Sequence, residues 1–222
     1  MRRLRFALLA LTLWPASVFA ETDLLGGAAL LVGSPRGPFD EVVGTGWGLE
    51  GHALLTPAGR PFGLRIDGAF LVYGSETITV PFSGTGGRVG LDVTTDNWIG
   101  SLSVGPELTA RSGPVRPYVH ALAGVAYFAT TSEVKGRGGA FPLARSTNFD
   151  DSTFRWSVGG GVNLAVGRRV AVDVGLAWVS NDRVSYLAQG DIQDDGHGGV
   201  VVEPRRSRVD LVQLTIGVTG GW

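Results

Sequence analysis

The sequence predicts an all-β protein, an antiparallel up-and-down transmembrane β-barrel of about eight strands. Three observations carry that prediction. In the stretch Arg116–Phe128, Val119, Ala121, Ala123, Val125 and Tyr127 share one parity, and Arg116, Tyr118, His120, Leu122, Gly124 and Ala126 share the other. Side chains alternate faces along a strand, so one face is apolar while the other carries a cation and an imidazole, the pattern of lipid outside and a polar lumen inside. All five Trp beyond the N-terminal segment (Trp47, Trp98, Trp156, Trp178, Trp222) fall on the apolar parity, an outcome expected about once in 32 if parity were random. Connections between such stretches alternate long and short, the asymmetry of a barrel with long outer loops and short periplasmic turns.

Composition and targeting agree. The 222 residues include 35 Gly and no Cys, with 44% hydrophobic residues, 18% charged residues and a formal net charge of -1. That balance is too apolar for disorder and gives no electrostatic case for nucleic acid. Without Cys there is no disulfide, thiolate metal site or lipid-anchored cysteine. Arg2, Arg3 and Arg5, the apolar run Phe6–Trp14 and the small-residue pattern Val18-Phe19-Ala20 read as a cleaved secretory signal over 1–20, leaving 21–222 as one barrel domain. The apolar run is far shorter than the roughly 20 residues a spanning helix needs.

The first apolar stretch, Leu24–Gly33, has no clear parity and leads into the loop Ser34–Glu41. Val43–Leu55 sets Val43, Thr45, Trp47, Leu49, Ala53 and Leu55 against Gly44, Gly46, Gly48, Glu50 and His52. After the turn Thr56–Pro61, Phe62–Tyr73 sets Phe62, Leu64, Ile66, Phe70 and Val72 against Arg65 and Asp67, and Gly74–Thr95 reads as a long loop. Asp96–Arg111 sets Trp98, Leu102, Val104 and Leu108 against Asn97, Ser101, Ser103 and Glu107, and Ser112-Gly113-Pro114 turns into Arg116–Phe128. Past a second long loop, Ala129–Asp151, the stretch Ser152–Val166 sets Phe154, Trp156, Val158, Val162 and Leu164 against Arg155, Ser157 and Asn163. Val170–Val179 sets Val170, Val172, Val174, Leu176 and Trp178 against Ala171, Asp173, Gly175 and Ala177. The longest loop, Ser180–Arg205, precedes Arg206–Trp222, where Val212, Leu214, Ile216, Val218 and Trp222 oppose Gln213, Thr215 and Gly217.

With strand directions alternating, Trp47, Phe70, Trp98, Tyr127, Trp156 and Trp178 fall near the outer strand ends as one interfacial aromatic girdle. Alternation by itself would also suit a soluble barrel or sandwich whose apolar parity faces inward. The girdle, the signal and the terminal aromatic favour the membrane.

The segment Arg116-Pro117-Tyr118-Val119, followed by a small-residue strand ending Ala126-Tyr127, resembles the fifth strand of OmpA-like and OmpX-like outer-membrane barrels. The terminal strand ending in Trp222 resembles the signal read by the outer-membrane insertion machinery, where the family usually has Phe. The resemblance implies an eight-stranded barrel integral to the outer membrane, and with the last strand at the end of the sequence the peptidoglycan-binding domain of full-length OmpA-type proteins is not expected.

The expected lumen cluster is Glu50, His52, Arg65, Asp67, Glu107, Arg116, His120, Arg155 and Asp173, with Asn163 and Gln213 nearby. Buried charges require partners, so a salt-bridged polar filling is the plain expectation and a narrow porin-like path for small ions or solutes the alternative. Eight-stranded lipid A deacylases carry a His and a Ser on the lipid face, whereas His120 is expected inside and two residues on stands Leu122, and Leu54 follows His52 in the same way. No catalytic residues, metal or cofactor are assigned. Asp191–Gly199 contains Asp191, Asp194, Asp195 and His197 without EF-hand spacing. The basic run Pro204-Arg205-Arg206-Ser207-Arg208 reads as a loop stem, with contact to lipopolysaccharide phosphates as the alternative, and the long loops are the places for a partner whose identity the sequence leaves open. A structural or surface-interaction role in the outer-membrane lipid is the expected function.

Overall fold

The computed structural model describes residues 22–81, 90–136, 142–187, 192–194, 200–202 and 204–221. The expected signal peptide and Trp222 lie outside them. β1 (Thr22–Arg36) is followed by a 3-10 turn (Gly37–Phe39), β2 (Gly46–Pro57), β3 (Phe62–Pro81), β4 (Gly90–Thr109) and β5 (Val115–Gly136). Then come β6 (Pro142–Ala165), β7 (Val170–Tyr186), the three-residue strands β8 (Ile192–Asp194) and β9 (Val200–Val202), and β10 (Arg205–Gly221).

Eight strands close a barrel in the order β1-β10-β7-β6-β5-β4-β3-β2, and β1 also pairs with β2. All pairings are antiparallel, and β8 and β9 form a separate ribbon between β7 and β10. Closure satisfies the backbone of every barrel strand on both sides, the condition for crossing hydrocarbon without a helix.

The two faces are inverted relative to a water-soluble protein. Outside, large apolar side chains stand open, Trp47 at 68% and Leu30 at 67% exposure among them, and the same is true of Leu49, Leu102, Val119, Phe154, Leu176 and Ile216 on successive strands. Inside lie Arg65, Asp67, Glu107, Arg155 and Asp173, each buried. Soluble monomers rarely expose a contiguous apolar patch beyond a few hundred Å²; here it encircles the molecule. The soluble-barrel alternative is thereby excluded, and the fold is a transmembrane β-barrel.

Two expectations need correction, and the parity of the first stretch, left open above, is resolved. β1 alternates from Ala28 on: Ala29, Leu31 and Gly33 are buried inside while Ala28 and Leu30 are exposed outside. Val43, assigned to the outer face of a strand, precedes β2 and is buried within the barrel mouth. The stretches read as the loops Gly74–Thr95 and Ala129–Asp151 are in large part strand. β3 and β4 have 20 residues each, β5 has 22 and β6 has 24, whereas about 9–11 suffice to span a bilayer. The excess projects at the end opposite the two termini. Polar residues fall on both parities there, as with Ser75 and Glu76, Thr94 and Thr95, and Thr130 and Thr131, so no apolar parity marks it in the sequence. Polar cross-strand rungs hold it instead, as in Ser75 Oγ donating to Asp96 (2.6 Å), the Thr77–Thr94 hydroxyl pair (2.9 Å) and the Thr95–Ser132 pair (2.8 Å).

Candidate functional site

The lumen is layered. In the half nearer the short turns, one guanidinium organises the charge. Arg65 on β3 donates from Nη1 to Glu107 Oε2 on β4 (2.9 Å), from Nη2 to Glu50 Oε1 on β2 (3.0 Å), and from Nη2 and Nε to Asp67 Oδ2 (3.0 and 3.3 Å). Thr109 adds a hydroxyl bond to Glu107. The register explains the convergence: Arg65 pairs with Leu54 and Gly105, Asp67 with His52 and Ser103, so the four charged side chains occupy adjacent inward positions on three strands. With Arg65 only 3% exposed, each carboxylate depends on it for compensation.

On the opposite wall Arg155 donates from Nη2 to Gln213 Oε1 (3.1 Å), while its Nε has no hydrogen-bond partner. Tyr118 donates to Asp173 Oδ1 (2.9 Å), and the Arg65 guanidinium lies 5.8 Å from the Tyr118 ring centroid. His120 stacks beside Tyr118 at 6.0 Å, and Nδ1 of both His120 and His52 is buried without a partner. A cavity of about 20 Å³, room for about one water, lies among Glu50, Asp67, His120, Arg155 and Gln213.

The structure thus joins Glu50, Arg65, Asp67 and Glu107 directly, and places His52, His120, Arg155 and Asp173 around them. Arg116 is not part of the cluster: its Nε donates to Gly113 O in the preceding turn (3.2 Å), and the side chain stays at the mouth. Asn163 is also at the mouth, accepting from Thr219 Oγ1 (3.0 Å). Asp173 is partnered by Tyr118, which the sequence reading placed on the inward parity but left out of the site.

The other half of the lumen departs from the expectation of a polar filling throughout. Leu31, Leu71, Ile99, Phe128, Val179, Val209 and Leu211 are buried there in one apolar cluster with Phe39, Val43, Tyr73 and Tyr186. Phe39, carried inward by the 3-10 turn, meets Tyr73 edge-on at 5.4 Å and Tyr186 at 5.0 Å. A signal for this plug exists in the inward parity itself, which changes from charged or polar to apolar along β3, β7 and β10: Arg65 and Asp67 to Leu71, Asp173 to Val179, and Gln213 to Leu211.

On the outer surface Trp47, Phe70, Trp98, Tyr127, Trp156 and Trp178 all project away from the lumen, and Phe70, Trp98 and Tyr127 touch in sequence at 5.2 and 5.5 Å. Of the Asp191–Gly199 segment only 192–194 are described, so Asp191, Asp195 and His197 lie outside the described residues.

No protein-family profile and no curated protein matches the chain. Solved structures similar to it include Neisserial surface protein A (14% identity, 90% of this chain and 96% of that one, TM-score 0.46). Another is Ail, the attachment invasion locus protein of Yersinia pestis, in complex with the heparin analogue sucrose octasulfate (12%, 90% and 97%, TM-score 0.47). A third is the outer membrane protein OprG from Pseudomonas aeruginosa (9%, 90% and 95%, TM-score 0.45). The barrel assignment itself rests on strand order, register and the inverted faces described above.

Proposed function

We propose that this protein is an exported, integral outer-membrane barrel with a structural or surface-presenting role, its lumen closed to solutes. The apolar plug around Phe39 carries this reading. It lies above a charge cluster whose members bond to one another, so an ion entering from either side meets a layer that offers no hydration. In this reading the end bearing the termini and short turns faces the periplasm and the projecting β3–β6 ribbon faces outward. The exposed aromatic residues sit at the outer interface, and the basic start of β10 lies beside lipopolysaccharide phosphates. Insertion would use the terminal strand and Trp222, and the projecting ribbon is the surface available to a partner. A narrow channel would require the plug to move, and a lipid-modifying activity would require polar groups on the lipid face that the observed His52 and His120 do not supply.

Two measurements test this. The mature protein should fractionate with the outer membrane and migrate differently on gels with and without boiling; a soluble fraction with no shift would overturn the location. Planar-bilayer recordings of the folded protein should show no steady conductance, and reproducible unitary steps would overturn the closed lumen in favour of the channel.

A further inference from the structure

The mouth beside the short turns holds a cavity of about 290 Å³, at the small end of ligand-binding pockets. Five arginines line it with two acidic residues, Asp23 and Glu107. Arg65 is committed to its three acidic neighbours. Arg111 is committed to Asp23 and to the carbonyls of Pro57 (3.1 Å) and Arg60 (2.5 Å). Arg116, Arg168 and Arg169 remain, with no carboxylate partner among the described residues. Asn163 uses Oδ1 to accept from Thr219 and keeps its amide N–H groups as donors at the same wall. The rest of the lining is mixed, with Leu25, Leu54, Ala165 and Ala171 as its apolar part and His52, Thr56, Thr109 and Thr219 as polar members.

We infer that this vestibule binds a small phosphate ester, its phosphate held by Arg116, Arg168 and Arg169 and its short carbon body against the apolar wall. Guanidinium forks match phosphate oxygens in bidentate fashion, and three uncompensated ones around one opening favour a multiply charged oxyanion over chloride. Two lining residues, Leu24 and Val170, are also exposed on the outer surface. The rim of the vestibule thus includes residues of the lipid-facing surface, and the ester is either the headgroup of an anionic phospholipid reaching over the rim or a soluble molecule. The inference is independent of the proposed biological role, because binding can be read on the purified folded barrel.

The test is calorimetric titration of the folded, full barrel in nonionic detergent at physiological salt, with sn-glycerol 3-phosphate as probe and glycerol as the uncharged control. Saturable one-to-one binding of the phosphate alone is expected. R116Q/R168Q/R169Q, checked for folding by its heat-dependent gel shift, should lose at least about tenfold in affinity, while R183Q at the far end should not. If the triple variant does not fold, Arg168→Gln in its exposed turn should still weaken binding several-fold. Absence of saturable binding to the parent protein, or equal binding by parent and triple variant, overturns the inference. Phosphatidylcholine vesicles doped with spin-labelled phosphatidylglycerol distinguish the sources. An immobilised lipid component that the triple variant lacks identifies the headgroup, and its absence alongside glycerol phosphate binding identifies a soluble ester.

Discussion

The Tyr118 hydroxyl reaches from β5 over β6 to donate to Asp173 on β7 at 2.9 Å. The strand it crosses is bare at that point. Gly161 pairs with Tyr118 on one side and Gly175 on the other. A Cβ on Gly161 would lie 2.6 Å from the Tyr118 hydroxyl oxygen, and one on Gly175 2.7 Å from it and 2.6 Å from Thr215 Oγ1. Much of the glycine richness on the inward parity therefore makes room for long polar side chains. Tyr118→Phe should leave the buried Asp173 carboxyl without its phenol and cost about 1–3 kcal/mol. Gly175→Val should displace the same ring and lose the same bond. Guanidinium unfolding in lipid vesicles measures both, and a loss below about 0.5 kcal/mol for Tyr118→Phe would show that Asp173 does not depend on it.

Arg65 is the cation on which three carboxylates converge. Removing one partner of a buried ion pair costs about 3–5 kcal/mol because the other charge remains uncompensated. Arg65→Gln should fall in or above that range, since three acids are left. Glu107→Gln in the same background should recover part of the loss, a coupling of about 0.5–3 kcal/mol for groups in direct contact. Additive losses in the double variant would mean that the cluster does not act as a unit.

What the sequence conveyed depends on where the chemistry contrasts. Opposite Arg65 and Asp67 the lipid face carries Ile66 and Phe70, and alternation across that contrast reads directly as a strand with an inside and an outside. Beyond Tyr73 and Phe128 polar residues fall on both parities, so Thr77, Thr94 and Ser132 resemble loop residues although their backbones pair in the ladder. Phe39 was hidden differently. It sits in a Gly-Pro-Phe turn, and only its contacts with Tyr73 and Tyr186, distant in sequence, make it part of the plug. Tyr118 was legible by parity, but its partner on β7 depends on barrel closure and register.

Phe39→Ala removes a fully buried ring from the plug and should cost about 3–5 kcal/mol, as large-to-small changes do in packed interiors. It should not produce a pore, because Leu31, Leu71, Phe128, Val179 and Leu211 still fill the lumen. Unfolding experiments and bilayer recordings on the same preparation check both halves. Conductance in Phe39→Ala but not in the parent would identify the 3-10 turn as the sole seal.

The Asp151 carboxylate ties the ends of two strands together past the point where their ladder begins. The β6–β7 pairing starts at Arg155 and Asn181. Beyond it, Asp151 accepts from the Ser185 amide at 2.9 Å and from the Ser152 amide at 2.8 Å. These amide bonds, that from Ser185 foremost, hold the Asp151 carboxyl below the usual aspartate range, with Arg206 adding to the effect. A depressed carboxyl contributes stability above the unfolded-chain value, about 3.9, and loses it as pH falls through the lower folded-state value. Because Asp151 is largely open to solvent, the effect should be local. The Ser185 amide resonance should shift as Asp151 titrates, with a midpoint below that of an unstructured aspartate, and Asp151→Asn should keep the bond but abolish the titration. A Ser185 resonance that is flat from pH 2 to pH 5, or a midpoint at or above about 3.9, would show that the carboxylate does not hold this corner.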